Sequence, residues 1–202
     1  MEKREGIPRH EAAKKIWLKD SKGLVVKDRP TGGINEHKEQ FAHIHGPMEE
    51  LGDIVRELKP SVMIGAAAVP GVFTQEIIED MTRMNKHPII FALSNPTHKA
   101  ECTAEQAYKW SEGKAIFASG SPFPDYEMNG RIYKPGQGNN AYIFPGVALA
   151  TICCGIHHID DDVFLASAES LAGIYRFSTL FKFQTRFCIL IRMLPLATDL
   201  TI

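Results

Sequence analysis

Net charge is almost absent from this 202-residue chain, in which 23 Lys and Arg face 24 Asp and Glu for a formal charge of -1. A chain so balanced has no basic field with which to recruit nucleic acid. Cysteine is scarce: Cys102, Cys153, Cys154 and Cys188 show no metal-ligand spacing. Cys153 and Cys154 lie side by side in an apolar run, which predicts small buried thiols and fits a reducing compartment. Long apolar runs are missing too. MEKREGIPRHEAAKK at the start is charged throughout, so neither a signal peptide nor a spanning helix is expected there. It also lacks the Ser/Arg-rich, acid-poor texture of a transit peptide. No later run is long enough to cross a bilayer, so no membrane partner is expected. Asn95-Pro96-Thr97 is no glycosylation site because its central residue is proline. No phosphate loop of the nucleotide-hydrolase type occurs, which disfavours kinase-like chemistry.

What is present is a soluble-protein balance of 44% apolar and 23% charged residues, in a chain long enough for one sizeable core. Ile16-Trp17-Leu18 and Leu24-Val25-Val26 predict strands, the first ending at Asp20. Met48, Leu51, Ile54, Val55 and Leu58 recur at three- and four-residue steps and predict a helix stopped by Pro60. SVMIGAAAV predicts a strand, Phe73 to Met84 a helix, PIIFALS a strand, Thr103 to Trp110 a capped helix and AIFAS a strand. That alternation predicts an α/β fold, an incomplete Rossmann-like, doubly wound parallel sheet covered on both faces. Asn129-Gly130 predicts a hairpin turn, and Pro145 the first turn of a helix. Asp160, Asp161 and Asp162 predict a helix cap rather than a metal site.

Ligands of such folds sit beyond the C-terminal ends of the strands. The ends here are Asp20, the Gly65–Ala68 run, Ser94-Asn95 and Ser119-Gly120. An acid such as Asp20 can hold ribose hydroxyls, with Ser21 and Lys22 beside it suited to a 2′-phosphate; a solvated turn accounts for the same residues. Asn95 offers a neutral amide donor to a carboxylate, or else an Asx-turn before proline. PGQGNN, from Pro135 to Asn140, matches a dinucleotide fingerprint as a string. The acids that follow open a helix instead of ending a strand, so its glycines are expected to turn the backbone closely under a ligand.

WLKDSKGLVVK, KPSVMIGAAA, PIIFALSNPTHKAECTAEQAY, AIFASGSPF and PGQGNNAYIFPGVALA, in this order, closely resemble the malic enzymes, which oxidatively decarboxylate malate to pyruvate and CO₂. The resemblance spans residues 1 to about 171 and implies residues 1–172 to be part of an NAD(P)-binding domain, with 173–202 a divergent tail. It implies cofactor contacts from Asp20, Ser21, Lys38, Gly65, Ala66, Ala67 and Asn95, with Ser21 and Lys38 at the 2′-phosphate of NADP. It implies malate contacts from Asn95, Asn139 and Asn140. The cofactor is then NADP or NAD. The family's divalent metal, Mg or Mn, takes its ligands, like the catalytic tyrosine and lysine and the Gly-rich loop, from a region preceding Met1. The chain is therefore expected to bind nucleotide weakly and to be inactive alone, in the cytoplasm or mitochondria. Its expected partners are malate, the dinucleotide, and copies of itself or full-length subunits; a non-catalytic interaction isoform is the alternative.

Overall fold

The computed structural model describes residues 6–178, and these divide into two compact units: 14–138, and 6–13 together with 139–178. In the first unit a two-stranded antiparallel ribbon, β1 (Lys19–Asp20) and β2 (Gly23–Leu24), is followed by helices α2 (Glu36–Glu39) and α3 (Leu51–Leu58). Strands β3 (Val62–Gly65), β4 (Ile89–Ala92) and β5 (Ile116–Ser119) then alternate with α4 (Gln75–Met84) and α5 (Ala104–Trp110). A hairpin of β6 (Tyr126–Met128) and β7 (Arg131–Tyr133) leads to β8 (Gly136–Gln137). β3, β4, β5 and β8 form one parallel sheet in that order, so the α/β expectation holds as a partial Rossmann-like arrangement.

The local reasons are visible in the caps. Thr74 accepts the Ile77 N–H at the start of α4, and Thr103 and Gln106 form the expected capping box of α5. Lys59 closes α3 in the left-handed region before Pro60 stops it. All four residues of β4 and of β5 are buried, as strands covered on both faces must be. Between sheet and helices lie Met63, Ile78, Met81, Ile90, Tyr108 and Phe117. Asn129 and Gly130 both adopt positive φ, the geometry a two-residue hairpin turn requires.

α3 serves two cores. Val55 packs in the sheet core, whereas Ile54 joins Leu24 and Val26 in a smaller one flanked by Trp17, Met48 and Leu58. That shared helix ties the ribbon to the sheet within the unit.

Two expectations about the first unit need correction. The strand ending at Asp20 is only two residues long and pairs antiparallel with Gly23–Leu24, outside the parallel sheet. Asp20 Oδ1 accepts the Lys22 N–H, and Gly23 turns back at φ 102°, where a side chain would run into the Met48 carbonyl. Burial of Leu24 and Val26 beside Ile54 rewards that reversal. PGQGNN is not a glycine turn: Gly136 and Gln137 are an edge strand in register with Ala118 and Ser119, and neither Gly136 nor Gly138 has positive φ.

In the second unit are α1 (Arg9–Ala13), a 3-10 turn (Asn140–Tyr142), α6 (Phe144–Cys153) and α7 (Asp161–Ser178). Pro145 sits in the first turn of α6, as expected. Asp160 caps α7 by accepting the Asp162 and Val163 N–H groups at 3.1 and 3.3 Å. Cys153 and Cys154 are exposed, against expectation, because α6 is apolar on all sides and presents part of that surface outward. The tail beyond Ser178, with Cys188, lies outside the described residues. No described helix is long and apolar enough to cross a membrane.

Candidate functional site

The first group forms at the β1–β2 turn. The Asp20 carboxylate accepts Arg29 Nη1 on both oxygens at 3.0 Å, Lys38 Nζ at 2.6 Å and the Lys22 N–H at 2.8 Å. Burial alone would raise the Asp20 carboxyl, but the bonds from Lys38, Lys22 and Arg29 outweigh it and hold the group at about 2. Lys38 reaches the acid from α2, whose cap Asn35 accepts the Lys38 N–H at 3.0 Å. Ser21 and Lys22 are exposed beside the carboxylate. Arg29 was not among the sequence candidates, yet its side chain is 2% exposed and also donates to the carbonyls of Gly32 and Gly33. No period or motif marks it, because it meets Asp20 through an irregular loop.

An acid stabilised in its charged form contributes stability above its ordinary value of 3.8, and loses it as pH falls towards about 2. Asp20→Asn should therefore lower the urea midpoint at pH 7, and the gap from the unmodified chain should close between pH 4 and 2. A gap constant over that range would show that the carboxylate charge contributes nothing.

The second group lies at the C-terminal ends of β3, β4 and β5. Gly65 is buried, while Ala66 and Ala67 are exposed at the rim. Under them sits Glu101, 0% exposed, which accepts the Ala67 N–H at 3.1 Å, the Ser94 N–H at 3.4 Å and the Ser94 hydroxyl. Ser94 Oγ in turn accepts the Ala68 N–H at 2.8 Å. A Cβ on Gly65 would come within 2.5 Å of the Glu101 side chain, so the glycine makes room for a buried acid. Asn95 follows Ser94 through this tied segment, and the Asn95–Pro96 peptide is cis. Asn95 Oδ1 accepts the Ser121 hydroxyl, and a Cβ on Gly120 would lie 2.8 Å from Nδ2. The amide thus rests on bare backbone with its oxygen engaged, which leaves Nδ2 as the group with N–H to offer. Glu101 and Ser121 also escaped the sequence, and Ser94 was named only as a strand end; a lone acid after Lys99-Ala100 carries no sign that it will be buried.

Asn139 and Asn140 fall in the other unit. Asn139 is exposed, and its Oδ1 accepts the Ala141 N–H at 2.9 Å at the head of the 3-10 turn. The fingerprint reading of Gly136–Ala141 has no footing: its glycines lie in or next to β8, ahead of the turn.

Three further observations limit the chemistry. Burial, with Glu101 alongside, pushes the Cys102 thiol up to about 12, so it is no nucleophile. A cavity of about 780 Å³ has Ser21 and Lys22 on its wall together with Glu49, Glu50, Asp53 and Glu76. Arg56 there is paired with Asp53, Glu76 and Asp80, so this acid-rich wall disfavours phosphate, and neither Asp20 nor Lys38 lines the cavity. Among the described residues no three His, Cys, Asp or Glu side chains are grouped to hold a metal ion, so a divalent metal does not fit them.

The family profile described as "Malic enzyme, NAD binding domain" matches residues 1–184. The NADP-dependent malic enzyme of Columba livia is 58% identical over 170 residues, covering 84% of this chain and 30% of that protein. That of Homo sapiens is 55% identical over 170 residues, 84% of this chain and 29% of its own length. The mitochondrial NADP-dependent malic enzyme of Homo sapiens is 54% identical over the same length, 28% of that protein. The chain therefore spans under a third of the length of the relatives it matches.

Proposed function

The chain belongs to the malic enzyme family, as part of its NAD-binding domain, and from that membership we propose that it supplies the adenosine-phosphate side of an NADP site and one bank of a malate site. The carrying observation is the convergence of Asp20, Ser21, Lys22 and Lys38 at one turn. Asp20 would accept the remaining 3′-hydroxyl of the ribose, and Ser21 and Lys38 would bind the 2′-phosphate. Gly65, Ala66 and Ala67 would form the small-residue wall along the dinucleotide. Asn95 would offer its amide to malate and to the nicotinamide end; Asn139 and Asn140, in the other unit, are malate contacts by the family resemblance alone. In the complete enzyme this arrangement serves hydride transfer from malate to the cofactor and loss of CO₂, in the cytoplasm or mitochondria.

Calorimetry with 2′,5′-ADP and 5′-AMP tests the nucleotide assignment. The chain should bind the 2′-phosphorylated ligand more tightly, and Lys38→Gln should weaken it about tenfold, the worth of one charge-assisted bond. Equal affinity for the two ligands, or no effect of Lys38→Gln, would overturn it. The chain alone should form no NADPH from malate, because no described cluster can hold the metal that polarises the carbonyl; steady turnover by pure protein would sink this expectation.

A second role rests on a separate observation. Phe144, Leu149 and Ile152 of α6 are 57, 64 and 78% exposed, an apolar surface suited to association with another malic enzyme subunit. Co-purification with a full-length NADP-dependent malic enzyme would support a non-catalytic interaction isoform. A monodisperse monomer would count against it.

A further inference from the structure

We infer that Arg29 is the specificity-determining residue that lets an acid stand inside a 2′-phosphate site: it neutralises Asp20 permanently, so that Lys38 can leave the acid and take the phosphate. The inference rests on the nucleotide assignment above and deepens it. A bare carboxylate at the end of this strand would favour a free ribose and repel a dianion. The two cations on Asp20 differ in how they are held.

Arg29 is locked. Nη1 bonds both Asp20 oxygens at 3.0 Å, Nη2 donates to Gly32 O at 2.9 Å and Gly33 O at 2.5 Å, and Nε donates to Gly33 O at 3.1 Å. Gly32 and Gly33 both take positive φ, which turns two successive carbonyls onto the guanidinium. With its side chain 2% exposed, Arg29 has no face to offer a ligand. Lys38 is exchangeable. Its side chain is 32% exposed on a short helix, and it reaches Asp20 through a single oxygen. An ammonium is a compact point charge on a flexible stem, able to swing, whereas a fork is bound to its geometry. With Arg29 cancelling Asp20, the charges of Lys38 and the neighbouring Lys22 are both in excess, and the corner is net positive. Without Arg29, Asp20 would hold Lys38 for itself.

The test uses calorimetric titration of 2′,5′-ADP into the full 202-residue chain and its variants, with circular dichroism to establish that each is folded. Arg29→Met should lose about tenfold or more in affinity, the order of one charged contact. Asp20→Asn in the Arg29→Met background should bind at least about threefold more tightly than Arg29→Met alone, since no acid remains to cancel while the Asn oxygen can still accept the ribose hydroxyl. Arg29→Lys keeps the charge but not the fork, and should also bind within about threefold. It settles the matter should the methionine variants fail to fold. Unchanged binding by folded Arg29→Met would overturn the inference. So would a folded double variant, or a folded Arg29→Lys, as weak as Arg29→Met, for Arg29 would then act through loop shape alone. If the unmodified chain does not distinguish 2′,5′-ADP from 5′-AMP, the nucleotide assignment fails first and this inference falls with it.

Discussion

Glu101→Ala is expected to lower the unfolding free energy of the chain by about 3 kcal/mol or more, because each buried donor left without a partner costs about 1–3 kcal/mol. Glu101 is 0% exposed and receives the Ala67 N–H and both the N–H and hydroxyl of Ser94. Ala67 lies at an exposed rim, where water can replace the lost oxygen. Ser94 is buried and has no such relief. The emptied side-chain volume adds a cavity against Gly65 and Phe73. Glu101→Gln keeps the volume and one acceptor, and should cost about 1 kcal/mol, the worth of one hydrogen bond. Urea denaturation measures both. A loss under about 0.5 kcal/mol for Glu101→Ala would mean that the acid does not hold these strand ends together. Gly65→Ala supplies the partner for a double-mutant cycle. Its Cβ would meet Glu101 at 2.5 Å, so the two substitutions together should cost less than their sum.

Gly113→Ala should be comparably damaging, at about 3 kcal/mol, from two sources acting at one atom. The residue follows α5 at φ 72°, where an L side chain costs about 1–2 kcal/mol. Its new Cβ would also overlap the Tyr133 hydroxyl and lie 2.5 Å from Cζ. Tyr133 is buried, and its ring packs 4.8 Å from that of Tyr108, so moving it disturbs the β6–β7 hairpin and the core beneath. Gly130→Ala is the control. Gly130 has nearly the same φ, 70°, with nothing within 4 Å of the added carbon. The excess of the Gly113 cost over the Gly130 cost in urea denaturation isolates the collision with Tyr133. Equal costs would show that Tyr133 yields freely.

Much of the local structure was legible in the chain. The three central strands are short runs of apolar residues, and the caps at Thr103, Pro145 and Asp160 follow from side chains next to the backbone groups they serve. The Asn129-Gly130 turn needs only two residues that tolerate positive φ. Family membership is local information as well, carried by motifs in order. The sequence could also nominate Asp20 and Ser21, which sit within a motif, and Lys38, which came only through the family resemblance.

What surrounds those residues was decided only by the tertiary structure. β8 escaped because a two-residue strand containing glycine has no period, and its identity comes from the β5 edge it pairs with. The strand before Asp20 was shortened by contacts with Met48 and Ile54, more than twenty residues away. Arg29 and Glu101 are invisible in sequence for one physical reason: a buried polar side chain is defined by the partners that satisfy it, and those partners arrive through loops and neighbouring strands. The sequence determined which elements form and which family they belong to. The fold determined that one acid, Asp20, is held by two cations of different mobility, and that another, Glu101, is sealed beneath the glycine and alanines of the strand ends.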